Sequence, residues 1–257
     1  MKVEFSIDND VAVVTLNRPE KLNAIDQEAR RSLEEIWKEI AQSDAIRVVV
    51  LTGAGEKAFC AGTDLNSVPA QTSAAANNFL NSGQVSLAVA MDIPQPIICA
   101  VNGLAFGGGM ELVLASDIVI AARHVEFALT EARLGSIPGS GGTQFLPRII
   151  SRSNALLYLL TGDRMSAEEA YRLGVVSRLC APDGLMAEAR DIAERIAGNA
   201  PLSVAAIKRL VSRGGSIPLE QALMLERYAF GLIAGSEDRA EGRAAFREKR
   251  KPSFKGK

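Results

Sequence analysis

The chain has 257 residues, 29 Lys and Arg against 30 Asp and Glu, a formal net charge of −1, and 47% apolar residues. That is enough chain for one large domain, or one with a smaller appendage, and the near-neutral balance speaks against a dedicated nucleic-acid binder. No apolar run reaches the roughly 18 residues of a membrane span, and the N-terminal stretch has no apolar signal core, so the expected location is cytoplasmic. In chain order, residues 3–7 and 11–16 read as two strands around the turn Asp8-Asn9-Asp10, a hairpin. From 26 to 42, Ala29, Leu33, Ile36, Trp37 and Ile40 recur at helical spacing behind Asp26 as N-cap. Residues 47–52 form a buried-type strand. The Asn/Ser/Ala-rich stretch 66–90 reads as a mobile loop passing into a helix.

Residues 97–101 form another strand. Gly107-Gly108-Gly109 then opens a helix over 110–116, and 117–122 is a strand again. Strand–helix–strand alternation predicts an α/β fold of stacked ββα-like units with a largely parallel interior. After the glycine-rich loop 135–142 the chain turns helical over 144–160, 167–173, 185–199, 201–213 and 218–235. The last stretch, 247–257, carries six positive charges against one Glu. It reads as a solvated end or as a contact for a phosphorylated ligand.

Cys60, Cys99 and Cys180 are too few and too far apart for a disulfide framework or a zinc pattern, and read as small core fillers. The lone histidine, His124, sits in a turn-like stretch with no evident partner. Histidine-based triads and multi-histidine metal sites are therefore disfavoured, leaving carboxylates and backbone amides. No GxxxxGK[ST], GxGxxG or GxSxG pattern occurs.

Three segments carry candidate chemistry. The run 102–112 places three glycines between a buried strand and a helix, where unpaired N–H groups suit a developing oxyanion. Glu111 follows Gly108 by three residues, about one helical turn. It either faces what the Gly108 N–H binds or merely complements the helix dipole. The loop 58–65 offers a second backbone N–H, from Thr63, with Asp64 read as a cap of the turn. Glu131 sits in an apolar context before a glycine loop. It is either a partly buried acid of raised proton affinity or a solvated partner of Arg133.

In combination, these segments resemble the crotonase (enoyl-CoA hydratase/isomerase) superfamily. The matching pieces are Asn17-Arg18-Pro19 with Leu22-Asn23-Ala24, the run 57–65, Val101-Asn102-Gly103, Gly107 to Leu112, Glu131 with Leu134-Gly135, 138–143, Leu160-Thr161-Gly162, and the ending from Glu241-Gly242 to Phe254. They occur in family order over essentially the whole chain. The resemblance implies a crotonase-like spiral of ββα units over 1–195 holding the acyl-CoA site. A C-terminal helical oligomerisation region over 196–257 would build a homotrimer or a hexamer of paired trimers.

It further implies an acyl-CoA thioester substrate, with coenzyme A part of that substrate, no separate cofactor, no metal, and neither nucleic acid nor membrane as partner. The Thr63 and Gly108 N–H groups would form the oxyanion hole. Glu111 would activate water and Glu131 would exchange the proton at the α-carbon. CoA contacts would come from the backbone of Leu22, Ala24, Ala58 and Ala61, and from Phe246 and Lys249, often across subunits. Glu20 stands where some hydratases have a basic residue, with Lys21 beside it, and Phe145 stands where well-known hydratases have Arg. Two glutamates favour hydration of a 2-enoyl-CoA. The alternative is a dehydratase or isomerase of a specialised, carnitinyl-CoA-type acyl group. An RNA-binding protein and a silent scaffold are the readings outside catalysis.

Overall fold

The computed structural model describes residues 1–67 and 87–257. Strands β1 (Val3–Asp8) and β2 (Val11–Leu16) form the expected antiparallel hairpin, turned at Asn9 with φ 53°. From β2 onward the larger sheet is parallel: β2, β3 (Val48–Gly53), β5 (Ile97–Val101), β7 (Ile118–Ala122) and β10 (Arg178–Cys180). Three of these strands are each followed by a short strand of a second sheet. These are β4 (Ala58–Cys60), β6 (Leu104–Phe106) and β8 (Glu126–Ala128), with β9 (Met165–Ser166) closing its edge antiparallel to β8. The chain thus alternates between two sheets as it advances, which is the spiral of ββα units that the resemblance implies.

The parallel strands are buried on both faces, so β3 (VVVLTG) and β5 (IICAV) read as unbroken apolar runs. One face is covered by helix α1 (Gln27–Gln42), which buries Ala29, Leu33, Ile36, Trp37 and Ile40. Asp26 caps it, accepting the Ala29 N–H at 2.9 Å. The other face is covered by α7 (Leu185–Ala197), whose Leu185, Ala189, Ala193 and Ala197 recur every fourth residue against Val48, Val50, Ile98 and Ile120. The expected boundary at 195/196 falls in the last turn of this helix.

Between these lie α2 (Leu87–Ala90), α3 (Gly108–Ala115), α4 (Gly142–Ile149), α5 (Arg152–Thr161) and α6 (Ala167–Leu173). The single helix expected over 144–160 is two. Ile150 is extended (φ −113°, ψ 169°), and Ser151 starts a new helix by accepting the Asn154 N–H at 3.3 Å. Helical periodicity continues across the break, so pattern alone missed it. Most of the stretch expected as a loop over 66–90 lies outside the described residues. Its ends are a 3-10 turn, Leu65–Ser67, and α2.

The C-terminal region is helical: α8 (Pro201–Gly214), α9 (Leu219–Ala234) and α10 (Glu237–Glu248). The last was not expected, because its sequence EDRAEGRAAFRE buries only Asp238 and Ala245. Ser236 caps it through the Arg239 N–H at 3.1 Å. The basic tail is fastened rather than free. Arg250 pairs with Glu241 at 2.6 Å, and the Lys255 and Gly256 amides donate to Asp238. No helix among the described residues is long and apolar enough to cross a membrane.

Candidate active site

The site begins where bare backbone meets bare backbone. A Cβ on Gly109 would lie 2.1 Å from the Cys60 carbonyl oxygen, and one on Gly62 would lie 2.9 Å from the Gly108 nitrogen. Only glycine allows this approach between the loop after β4 and the start of α3. Gly62 (φ 91°) and Gly107 (φ 51°) also hold conformations that side-chain-bearing residues rarely adopt.

The approach brings two amides together. The bridge between Ile25 and Thr63 uses the Gly62 carbonyl and the Asp64 N–H, at 2.8 and 2.9 Å, and leaves the Thr63 N–H out. Gly107 N–H donates to Ala128 O at 2.9 Å. Gly108 is the first residue of α3, so its N–H has no partner within the helix. A Cβ on Gly108 would lie 3.7 Å from the Thr63 nitrogen. Thr63 and Gly108 thus sit side by side, as two donors suited to one oxygen atom.

Two carboxyls flank this pair. Glu111, in the first turn of α3, is only 3% exposed. Its Oε1 accepts the Ser140 N–H at 2.6 Å, from the loop that leads into α4, and the Gly142 N–H at 2.9 Å, from the first residue of that helix. Burial raises its pKa, while those two amides and the charge of Arg30 pull the other way.

Glu131 opens a 3-10 turn, Glu131–Leu134. Its Oε1 faces Gly107, where a Cβ would come within 3.4 Å. Its Oε2 is buried with no hydrogen-bond partner among the described residues. Burial raises its pKa, its own backbone N–H opposes this, and the Glu111 charge raises it further. Arg133 pairs with Asp163 at 2.6 Å. Of the two readings of Glu131, the half-buried acid is therefore the one the structure contains.

The expected CoA contacts divide into two groups. Arg18 donates to Ala24 O at 2.7 Å and pairs with Asp64 at 3.1 Å. Asn23 Nδ2 donates to Ala54 O and Ala58 O at 2.9 and 2.7 Å. Leu22 and Asn23 both adopt positive φ, and Ala61 N–H donates to Leu22 O at 2.9 Å. Leu22, Ala24, Ala58 and Ala61 therefore share one edge of the site. The Ala58 carbonyl accepts from both Asn23 and Asn102, so it offers little to a further donor. Asp64 also accepts the Asn66 N–H, as expected of a turn cap.

Phe246 lies elsewhere in the chain. It is 86% exposed on α10, in a groove it shares with Phe230, Gly242 and Phe254. Lys249 is exposed and ends the same helix at φ 54°. Glu20 and Lys21 are both exposed, in a 3-10 turn ahead of Leu22. The Phe145 ring lies against Gly141, where a Cβ would meet it at 2.5 Å. His124 is an exposed turn residue. Cys60 and Cys99 are buried with thiol pKa values pushed up by burial, while Cys180 is half-buried.

Two parts of the site were not singled out from sequence. The Ser140 and Gly142 amides hold Glu111, and the only signal was the clustering of glycines over 139–142. The charge of Arg30, on α1, also acts on Glu111, across sequence too distant for any local pattern to join them.

The chain was compared with known proteins. The enoyl-CoA hydratase/isomerase family profile matches residues 6–257. A protein named (E)-benzylidenesuccinyl-CoA hydratase from Thauera aromatica is 46% identical over 256 residues, covering all of both chains. A carnitinyl-CoA dehydratase from Proteus mirabilis is 39% identical over 96% of this chain and 95% of its own. Among solved structures, an enoyl-CoA hydratase from Bacillus anthracis superposes with a TM-score of 0.93 at 38% identity, over the whole of both chains. Fold, motif order and full-length similarity agree: the chain belongs to the enoyl-CoA hydratase/isomerase family.

Proposed function

We propose that this enzyme hydrates the 2,3-double bond of a 2-enoyl-CoA thioester. The observation that carries the reading is the contrast between two carboxyls beside one pair of amides. Glu111 is held by two backbone N–H groups and feels the charge of Arg30, both of which favour its ionised form. Glu131 has a buried oxygen with no partner among the described residues and feels the Glu111 charge, which favours its protonated form. The pair titrates as a coupled unit, and the asymmetry of surroundings assigns its shared proton to Glu131.

The thioester carbonyl oxygen sits on the Thr63 and Gly108 N–H groups, which are stronger partners for the enolate than for the ground-state carbonyl. Glu111 takes a proton from water as the water oxygen bonds to C3. Electrons move through the former double bond into the thioester oxygen. Glu131 gives its proton to C2, the carbonyl re-forms, and one water has been added. Leu22, Ala24, Ala58 and Ala61 line the CoA edge. Phe246 and Lys249 complete it from a neighbouring copy in a homotrimer or a dimer of trimers in the cytoplasm, and the reaction uses no cofactor beyond substrate-borne coenzyme A.

Run backwards, the same steps dehydrate a 3-hydroxyacyl-CoA, the direction named for the Proteus mirabilis relative. The test is product mass after incubating a short 2-enoyl-CoA with the enzyme in 18O-labelled water. Incorporation of one solvent oxygen into a 3-hydroxyacyl-CoA is expected. An unchanged or positionally isomerised enoyl-CoA would contradict hydration.

A further inference from the structure

The Thr63 N–H can serve an oxyanion only if its loop is held in one place. Residues 22–26 run beside residues 61–64 and hold it from one side. Ala61 N–H donates to Leu22 O at 2.9 Å, Ile25 N–H to Gly62 O at 2.8 Å, and Asp64 N–H to Ile25 O at 2.9 Å. These bonds engage the residues on either side of Thr63. Its own N–H therefore faces away from residues 22–26, on the side where Gly108 lies.

The Arg18 side chain clamps the two segments together. Its Nη1 donates to Ala24 O at 2.7 Å and lies 3.3 Å from Asp26, while its Nη2 donates to Asp64 Oδ2 at 3.1 Å. One planar group ties the carbonyl of residue 24 to the side chain that directly follows Thr63. Arg18 is itself fixed from behind, because its backbone N–H donates to Oδ1 of the buried Asn23 at 2.9 Å. The other Asp64 oxygen, Oδ1, accepts the Asn66 N–H at 3.2 Å and closes the turn beyond Thr63. Lys2 is no substitute for this clamp. It meets Asp26 at 2.6 Å and Glu28 at 2.7 Å, and it makes no contact with Asp64 among the described residues.

The Arg18 and Asp64 side chains are only 12% and 14% exposed. A pair taken so far out of water gains little net stability, since desolvation offsets the attraction. What a guanidinium supplies is direction, with donors at fixed angles in one plane. Resting on the acyl-CoA reading above, we infer that Arg18 is a positioning residue for the oxyanion hole. Acting through Asp64 and the Ala24 carbonyl, it sets the direction of the Thr63 N–H and so the strength with which the site polarises the thioester carbonyl. Its polar contacts include neither Glu111 nor Glu131, so the proton transfers keep their groups. A displaced donor loses more against the charged enolate than against the neutral carbonyl, so kcat suffers more than KM.

The experiment is isotope-edited infrared difference spectroscopy of butanoyl-CoA labelled with 13C at the thioester carbonyl, a saturated ester that cannot be hydrated. It is bound to the wild type, Arg18→Gln, Asp64→Asn and Lys2→Gln, and kcat and KM for a short 2-enoyl-CoA are measured alongside. The wild type should lower the carbonyl stretching frequency. Arg18→Gln should lose most of that shift, with kcat down about 10- to 100-fold and KM within about threefold. Asp64→Asn keeps the shape of the turn without the charge, and should show a smaller loss in the same direction. Lys2→Gln, which loosens only the outer side of Asp26, should leave shift and kcat unchanged. A full wild-type shift in both Arg18→Gln and Asp64→Asn would overturn the inference, as would a kcat loss matched by the loss of folded protein. If Arg18→Gln does not fold, Asp64→Asn decides alone. A wild type that leaves the carbonyl unshifted would overturn both this inference and the oxyanion hole. A shift that depends on Arg18 in an enzyme that hydrates no enoyl-CoA would sink the hydratase reading alone. Hydration with a shift indifferent to Arg18 and Asp64 would sink this one alone.

Discussion

Glu111 and Glu131 are the same side chain placed in different surroundings. Leaving Glu131 Oε2 buried and unpartnered costs about 1–3 kcal/mol, a cost sustained only where proton affinity is useful. Both native pKa values lie above the ordinary 4.5. A raised native pKa means the folded state prefers the protonated group. Its contribution to stability is intact below pH 4.5 and is lost as pH rises through the native value. Glu131→Gln stays neutral throughout. Its Tm relative to wild type should be little changed at pH 4, should increase as pH rises above 4.5, and should level off once pH passes the native value. A difference that is flat with pH, or that shrinks, would show that Glu131 is not held as a buried acid. Both glutamates could be picked out from sequence by their place beside glycines. The amides that differentiate them were not visible, because Ser140 and Gly142 lie 29 and 31 residues beyond Glu111.

At the scale of elements, the decisive contact is between the β4 loop and the N-terminus of α3. Its glycines separate into kinds that can be tested. Gly109→Ala would push a methyl to 2.1 Å from Cys60 O, a clash with backbone that cannot swing away. It should cost at least about 2 kcal/mol of stability, read as a lower denaturant midpoint. Gly62→Ala combines positive φ with a contact at the Gly108 nitrogen. It should lower kcat by about 100-fold or more through misplaced oxyanion donors, with a smaller change in KM. Gly139 has open space around it, so Gly139→Ala should leave stability and kcat nearly unchanged. Equal effects from Gly62→Ala and Gly139→Ala would remove the close approach from the mechanism. Sequence made this junction legible because close backbone contact demands glycine. It did not reveal the helix break at Ile150-Ser151, where apolar spacing runs on, or the polar helix α10, which has almost no buried face.

For the molecule as a whole, the parallel sheet and its covering helices were legible because strands buried on both faces lack polar positions. The α9 helix poses the remaining question. It buries none of its 16 residues within the chain, yet Leu223, Met224, Leu225, Tyr228, Phe230 and Leu232 are all 45% exposed or more. So large an apolar surface is normally covered by a partner, and the proposed trimer would cover it with a second copy of the chain. Light scattering should give three or six times the 27.3 kDa chain mass. Tyr228→Arg with Leu225→Arg should reduce that mass. A monomer at micromolar concentration would contradict the assembly and leave Phe246 and Lys249 without a role at the CoA edge.

The most direct test is the loss of conjugated-thioester ultraviolet absorbance of a short 2-enoyl-CoA with wild type, Glu111→Gln and Glu131→Gln. Fast loss with the wild type is expected. A decrease of about 100- to 10,000-fold is expected for each variant, with folding and assembly unchanged. Wild-type turnover that survives either substitution would contradict the two-carboxylate mechanism.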